Sequence, residues 1–180
     1  SHSQYDKARE YLEKALAIRT EIGDRKGEAT SYGSLGTLFQ SLGQYDKARE
    51  YQEKALAINV EIGDRNGEAT SYRNLGTLFQ LLGQYDKARE YKEKALTITI
   101  AIGDRAGKAT SYGDLGALFH SFGQYDKARE YQEKALTITI AIGDRAGEAT
   151  SYGALGALFH LLGQYDKARE IGRASCRERV

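Results

Sequence analysis

Residues 84–123 read QYDKAREYKEKALTITIAIGDRAGKATSYGDLGALFHSFG, and residues 124–163 read QYDKAREYQEKALTITIAIGDRAGEATSYGALGALFHLLG. The two stretches differ only at Lys92/Gln132, Lys108/Glu148, Asp114/Ala154, Ser121/Leu161 and Phe122/Leu162. Their opening motif recurs at Gln4, Gln44, Gln84, Gln124 and Gln164, a fixed period of 40. All 13 tyrosines fall at three positions of that period, typified by Tyr32, Tyr45 and Tyr51, so aromatic packing must repeat with it. Such a period means stacked supersecondary units that each touch their neighbours, rather than elements gathered around one shared core.

The punctuation inside a unit predicts two antiparallel helices. Gly23 followed by Asp24 is a helix stop and then a cap for the next helix. Apolar residues recur at Ala29, Tyr32, Leu35, Phe39 and Leu42, with the spacing of three and four that marks a helix, here helix A. Gly43 stops it. Helix B starts near Tyr45, carries Tyr45, Ala48, Tyr51, Ala55 and Ile62 along one stripe, and ends at Gly63. Glu50 and Lys54 sit four apart in the favourable order, as do Glu90–Lys94 and Glu130–Lys134. Loops this short force antiparallel neighbours. Thr97-Ile98-Thr99-Ile100-Ala101-Ile102 alternates with period two and on its own reads as a strand. Equivalence with Ala57–Ile62 decides for helix, because a strand could not stack in a column of helices. The body should hold at least seven helices over residues 4–163 and no sheet.

Composition limits the partners. The chain has 26 basic and 25 acidic residues. The last ten residues hold Arg173, Arg177 and Arg179 against Glu178, and with those four set aside 23 basic and 24 acidic residues remain. A near-neutral body of mixed sign argues against nucleic acid or an anionic membrane surface as partner, since both call for a basic face. No apolar run approaches the roughly 20 residues of a membrane span, and no signal peptide is visible. The lone cysteine, Cys176, lies in the tail, so no disulfide framework exists and a cytoplasmic location is expected.

The repeat array is assigned to residues 1–170, entering in mid-repeat and breaking off inside a helix B just after Glu170. Residues 171–180, IGRASCRERV, share nothing with the repeat. They match the in-frame translation of a common short-read sequencing adapter, and are expected to be an artefact rather than a divergent C-terminus. No function is assigned to Cys176 or the tail arginines.

The repeated residues resemble the tetratricopeptide pattern: Tyr32, Leu35-Gly36, Phe39, Gly43-x-Tyr45, Ala48 and Ala55. The next units supply Tyr72, Leu75-Gly76, Phe79, Ala88 and Ala95, then Tyr112, Leu115-Gly116, Phe119, Ala128 and Ala135. Gly36 and Ala48 let the two helices approach while the aromatics fill the space around them. The unit is longer than the usual 34 residues and has no Pro after helix B. In this it is similar to the repeats of G-protein-signalling modulator scaffolds and, more loosely, kinesin light chains. The resemblance implies an all-α, right-handed superhelical solenoid whose concave groove, lined by helix A, takes an extended or helical peptide.

Near-identical units act as an internal control: fixed positions serve packing, and varying ones are solvated or read a partner. The varying positions on helix A are Gly33/Arg73/Gly113/Gly153, Ser34/Asn74/Asp114/Ala154, Thr37/Thr77/Ala117/Ala157, Gln40/Gln80/His120/His160 and Ser41/Leu81/Ser121/Leu161. The partner-binding candidates drawn from them are Ser34, Thr37, Gln40, Arg73, Asn74, Thr77, Gln80, Asp114, His120 and His160. Asn and Arg suit peptide amides and carboxylates respectively. Related scaffolds place an Asn just before Leu-Gly, and here Asn74 alone matches that ladder. His120 and His160 occupy one register, but no third ligand accompanies them and zinc wants at least three, so no metal is expected. No cofactor or catalytic residue is assigned either, because nucleophile elbow, zinc-protease and phosphate-loop motifs are all missing. The expected function is a scaffold that binds a protein or peptide. The alternative is a regulatory or sensor array whose enzyme domain lies outside this fragment. Self-association through the uncapped ends is a further expectation.

Overall fold

The computed structural model describes the backbone of residues 2–177 and the side chains of residues 4–166. Those residues form eight helices and no strand: α1 (His2–Glu21), α2 (Arg25–Ser41), α3 (Tyr45–Glu61), α4 (Arg65–Leu81), α5 (Tyr85–Ala101), α6 (Arg105–Ser121), α7 (Tyr125–Ile142) and α8 (Arg145–Arg177). The chain divides after Asp104 into two compact units. In the first, α1 to α5 each pack on their chain neighbours and α2 also touches α4. In the second, α7 packs on both α6 and α8, which also touch each other.

The same turn chemistry recurs along the chain. Gly43 takes φ +70°, a left-handed conformation open to glycine at no steric cost, and reverses the chain between α2 and α3. The side chains of Asp24, Asp64 and Asp144 accept from the N–H groups of Gly27, Gly67 and Gly147 at 2.9, 3.0 and 3.0 Å, capping α2, α4 and α8.

Each helix pair closes over small residues. A Cβ on Gly36 would stand 2.7 Å from Gln52, and one on Gly76 would stand 2.8 Å from Lys92 and 3.2 Å from the Ala88 carbonyl. Ala48 and Ala88 are fully buried opposite them. Aromatic rings flank the contact, with Phe39 stacked on Tyr51 at 5.3 Å and Phe119 on Tyr131 at 5.2 Å. The core of the first unit gathers Leu35, Phe39, Ala48 and Leu78, with Leu12 and Leu16 of α1 against them. The second is built on Phe119, Ala128 and Leu158.

The strand-like stretch is helical through Ala101. Ile98 and Thr99 are buried while Thr97 and Ile100 face solvent, a helical rather than an alternating pattern. The hydroxyls of Thr97 and Thr99 donate to the carbonyls of Glu93 and Leu96, both at 2.9 Å, so these β-branched residues satisfy their polar atoms inside the helix.

One element departs from the repeat. Where Gly43, Gly83 and Gly123 turn the chain, Gly163 does not, and α8 continues unbroken past Gln164, the start of the fifth unit, to Arg177. That turn is held by docking a full helix B, and the residues after Glu170 carry none of the Tyr and Ala positions that dock one. The expectation that the tail packs little rests on side chains outside the described residues.

A polar groove between successive A helices

In the first unit, α2 and α4 are both A helices, and α3 crosses beneath them. A groove of about 470 Å³ runs between the two, walled by Thr30, Gly33, Ser34 and Thr37 on one side and Thr70, Ser71 and Asn74 on the other. Its floor is Gln52, Ala55 and Asn59 of α3.

The floor side chains tie the walls together. Gln52 Nε2 donates to the Gly33 carbonyl at 3.1 Å, and Asn74 Nδ2 donates to Gln52 Oε1 at 3.3 Å. Asn59 Nδ2 donates to Ser71 Oγ at 3.1 Å. Ser34 and Thr37 turn their hydroxyls back onto the carbonyls of Thr30 and Gly33, leaving a smooth wall. At one end Lys26 Nζ reaches Asp64 Oδ2 at 2.9 Å. The Gly67 N–H and the Lys26 ammonium hold the Asp64 carboxyl below its usual range.

The second unit repeats the frame with different chemistry. A groove of about 390 Å³ runs between α6 and α8, walled by Thr110, Gly113, Asp114 and Ala117 opposite Gly147, Thr150, Ser151 and Ala154. Gln132 Nε2 donates to the Gly113 carbonyl at 3.1 Å, the same tie that Gln52 makes. Asp114 stands where the first groove has Ser34, Ala154 where it has Asn74, and Thr139 where it has Asn59. The first groove carries the amides of Gln52, Asn59 and Asn74 with the Lys26–Asp64 pair at one end, and the second carries the carboxylates of Asp114 and Asp144 beside Gln132 and the hydroxyls of Thr110, Thr150 and Ser151.

The sequence candidates therefore separate. Ser34, Thr37 and Asn74 share the first groove, and Asp114 lines the second. Gln40, Arg73, Thr77 and Gln80 are half-buried and line neither. Thr77 Oγ1 donates to the Arg73 carbonyl at 3.1 Å. His120 is exposed in the last turn of α6 with its ring 5.6 Å from Tyr125, and the Nε2 of exposed His160 lies 3.1 Å from Gln164 Nε2. For Gln40, Gln80, His120 and His160 helix geometry explains the split: at about 100° per residue, a position six along from Ser34 points some 240° around the helix. Arg73 and Thr77 share the registers of Gly33 and Thr37, which do line the first groove, so rotation does not account for them. Among the described residues no group of three or more His, Cys, Asp or Glu could hold a metal ion. None of their helices is long and apolar enough to cross a membrane.

Gln52 and Asn59 are absent from a candidate set confined to helix A. The signal for them is in the string, since Gln52/Lys92/Gln132 and Asn59/Thr99/Thr139 vary between units on helix B.

The paired helices, their glycine turns and the aromatic–glycine contacts match one family description. Tetratricopeptide repeat matches residues 3–60, 39–101, 67–141 and 107–177, nearly the whole chain. The chain belongs to the tetratricopeptide-repeat family. Among solved structures, this tetratricopeptide array is similar to BtubC (BKLC) from P. vanneervenii, with a TM-score of 0.79 and 28% identity over 97% of this chain and 73% of that one. A kinesin-light-chain-like protein from P. anserina, with nearly identical TPR-like repeats, aligns with a TM-score of 0.66 and 23% identity over 96% of this chain and 91% of that one. A STAND signal-transduction ATPase with a tetratricopeptide repeat sensor, from Pyrococcus horikoshii, gives 0.75 and 24% over 96% of this array and 28% of that chain. At these last two identities the likeness is one of fold. No curated protein matches the array.

Proposed function

We propose that this array is a scaffold segment that binds an extended peptide of a partner protein in the grooves between successive A helices. The observation that carries the proposal is the pairing of a constant frame with a variable lining. The tie from Gln52 to Gly33 recurs as Gln132 to Gly113, while Ser34 becomes Asp114 and Asn74 becomes Ala154. A repeat that keeps the glutamine tie and Ala55/Ala135 but changes its surface groups, Asn59 to Thr139 in the floor included, is suited to reading successive peptide residues. The amides of Asn74 and Gln52 suit backbone groups of the peptide, and Asp114 suits a basic side chain.

The test is a displayed library of extended peptides selected against the full chain. Asn74→Ala should weaken the selected peptides by more than about 1 kcal/mol, the mark of an anchoring residue. Glu50→Ala, on the outer face of α3, should leave affinity unchanged, and circular dichroism should show both variants as helical as the parent. Binding that survives Asn74→Ala but is lost in Glu50→Ala would overturn the groove assignment.

A second reading makes the array the regulatory or sensor part of a longer protein. Its support is the STAND ATPase, in which an array of this fold serves as a sensor. A catalytic or nucleotide-binding domain in the flanking transcript would favour it.

A further inference from the structure

We propose that Asp144, at one end of the second groove, is a subsite for a basic side chain of the bound peptide. The inference rests on the groove reading above and adds the chemistry of one ligand residue. The first groove shows what this position holds when it is filled. Asp64 caps α4 by accepting from the Gly67 N–H at 3.0 Å, and its other oxygen, Oδ2, takes the Lys26 ammonium at 2.9 Å. Lys26 comes from α2, the facing wall, so the pair closes that end of the groove. With the ammonium seated there, the Asp64 side chain is only 14% exposed.

The second groove has the same aspartate without the cation. Asp144, Gly147 and Ala106 stand at the repeat positions of Asp64, Gly67 and Lys26. Asp144 Oδ1 accepts from the Gly147 N–H at 3.0 Å, the same cap that Asp64 makes. On the facing wall, the methyl group of Ala106 replaces the Lys26 ammonium. The adjacent Arg145 does not take over, because its guanidinium is bonded to Glu148 at 2.6 Å. Arg65 and Glu68 make that local pair beside Asp64 as well, so the one change at this end is the lost lysine. Among the described residues no cation is paired with Asp144, which is exposed and lines the groove. An ammonium or guanidinium carried in by a peptide would take the place that Lys26 fills in the first groove. Its aliphatic stem would lie along Ala109, Ala117, Ala135 and Ala154, which line the same groove. The two grooves therefore differ in demand: the first neutralises its aspartate from within, and the second takes the cation from its ligand.

The test uses peptides selected from the displayed library against the full chain. Each is resynthesised with norleucine for lysine and citrulline for arginine, which keep the side chain's length and remove its charge. The basic form should bind about tenfold more tightly than the neutral one, the scale of one charge-assisted hydrogen bond. It should also shift the NMR signal of the Gly147 amide, which reports on the Asp144 side chain. Asp144→Asn keeps an oxygen for the Gly147 cap and removes the charge, so it should bind both forms equally. Ala106→Lys, at an exposed position that suits a good helix former, supplies the missing ammonium from the chain and should do the same. Neutral forms that bind the parent as well as basic ones, or a tenfold preference that survives in both variants, would overturn the inference. In either case an affinity loss in Asn74→Ala would leave the groove reading standing. A library that yields no binder at all would overturn both.

Discussion

Ser71 and Ser111 occupy the same register, are both buried, and differ in what surrounds the hydroxyl. Ser71 Oγ accepts from buried Asn59, whereas Ser111 Oγ has no hydrogen-bond partner among the described residues. Removing a hydroxyl costs most where it strands a partner that stays buried, about 1–3 kcal/mol. Ser71→Ala should therefore lower stability by about that much, because the Asn59 amide loses its acceptor. Ser111→Ala leaves nothing stranded and should be neutral or stabilising. Chemical denaturation of the two variants checks the contrast, and equal losses at both positions would contradict it. The sequence shows the same serine twice. What separates the two sites is the residue facing each of them, which a reading along one helix does not see.

At the scale of the helix, the same aromatic residue has two very different environments. Phe119 is 5% exposed and stacked on Tyr131, while Phe159 is 54% exposed on an uncovered face. Phe119→Ala should cost about 3–5 kcal/mol, the usual loss for a buried phenylalanine. Phe159→Ala should stay within about 0.5 kcal/mol of the parent, as an exposed substitution does. Thermal melts of the two variants decide it, and a large loss at Phe159 would mean that α8 is covered after all. The helices themselves were legible in the string because local signals agree with one another. Asp24 before helix A, Gly43 after it and Ala48 opposite Gly36 all specify one helix pair, and repetition carries the assignment past the β-branched run at Thr97–Ile102. Gly163 was not legible in this way. A glycine permits a left-handed turn but does not impose it, and without a complete helix B to dock, the backbone of α8 continues.

For the whole molecule, repetition separates what holds the array from what the array can read. Leu35, Leu75 and Leu115 are fully buried at one position of three successive units, as are Ala48, Ala88 and Ala128 at another. The groove positions vary between Ser34, Asn74, Asp114 and Ala154 on this constant frame. Helix A was found from its periodicity, and of its varying residues Ser34, Thr37, Asn74 and Asp114 line the groove walls while Gln40, Arg73, Thr77, Gln80, His120 and His160 do not. The floor was less accessible, because Gln52 and Asn59 lie on helix B and reach the groove only once the two helices are packed. That placement makes the Gln52 carboxamide the best reporter of occupancy, since it touches Gly33 on one wall and Asn74 on the other. The most direct measurement is an NMR titration of the full chain with a library-selected peptide, following side-chain amide and backbone signals together. The account predicts that the carboxamides of Gln52 and Asn74 and the amides of Gly33, Ser34 and Thr37 shift together and saturate at one peptide concentration. Shifts confined to the outer face of α3 around Glu50 and Lys54, with the Gln52 carboxamide unmoved, would contradict it.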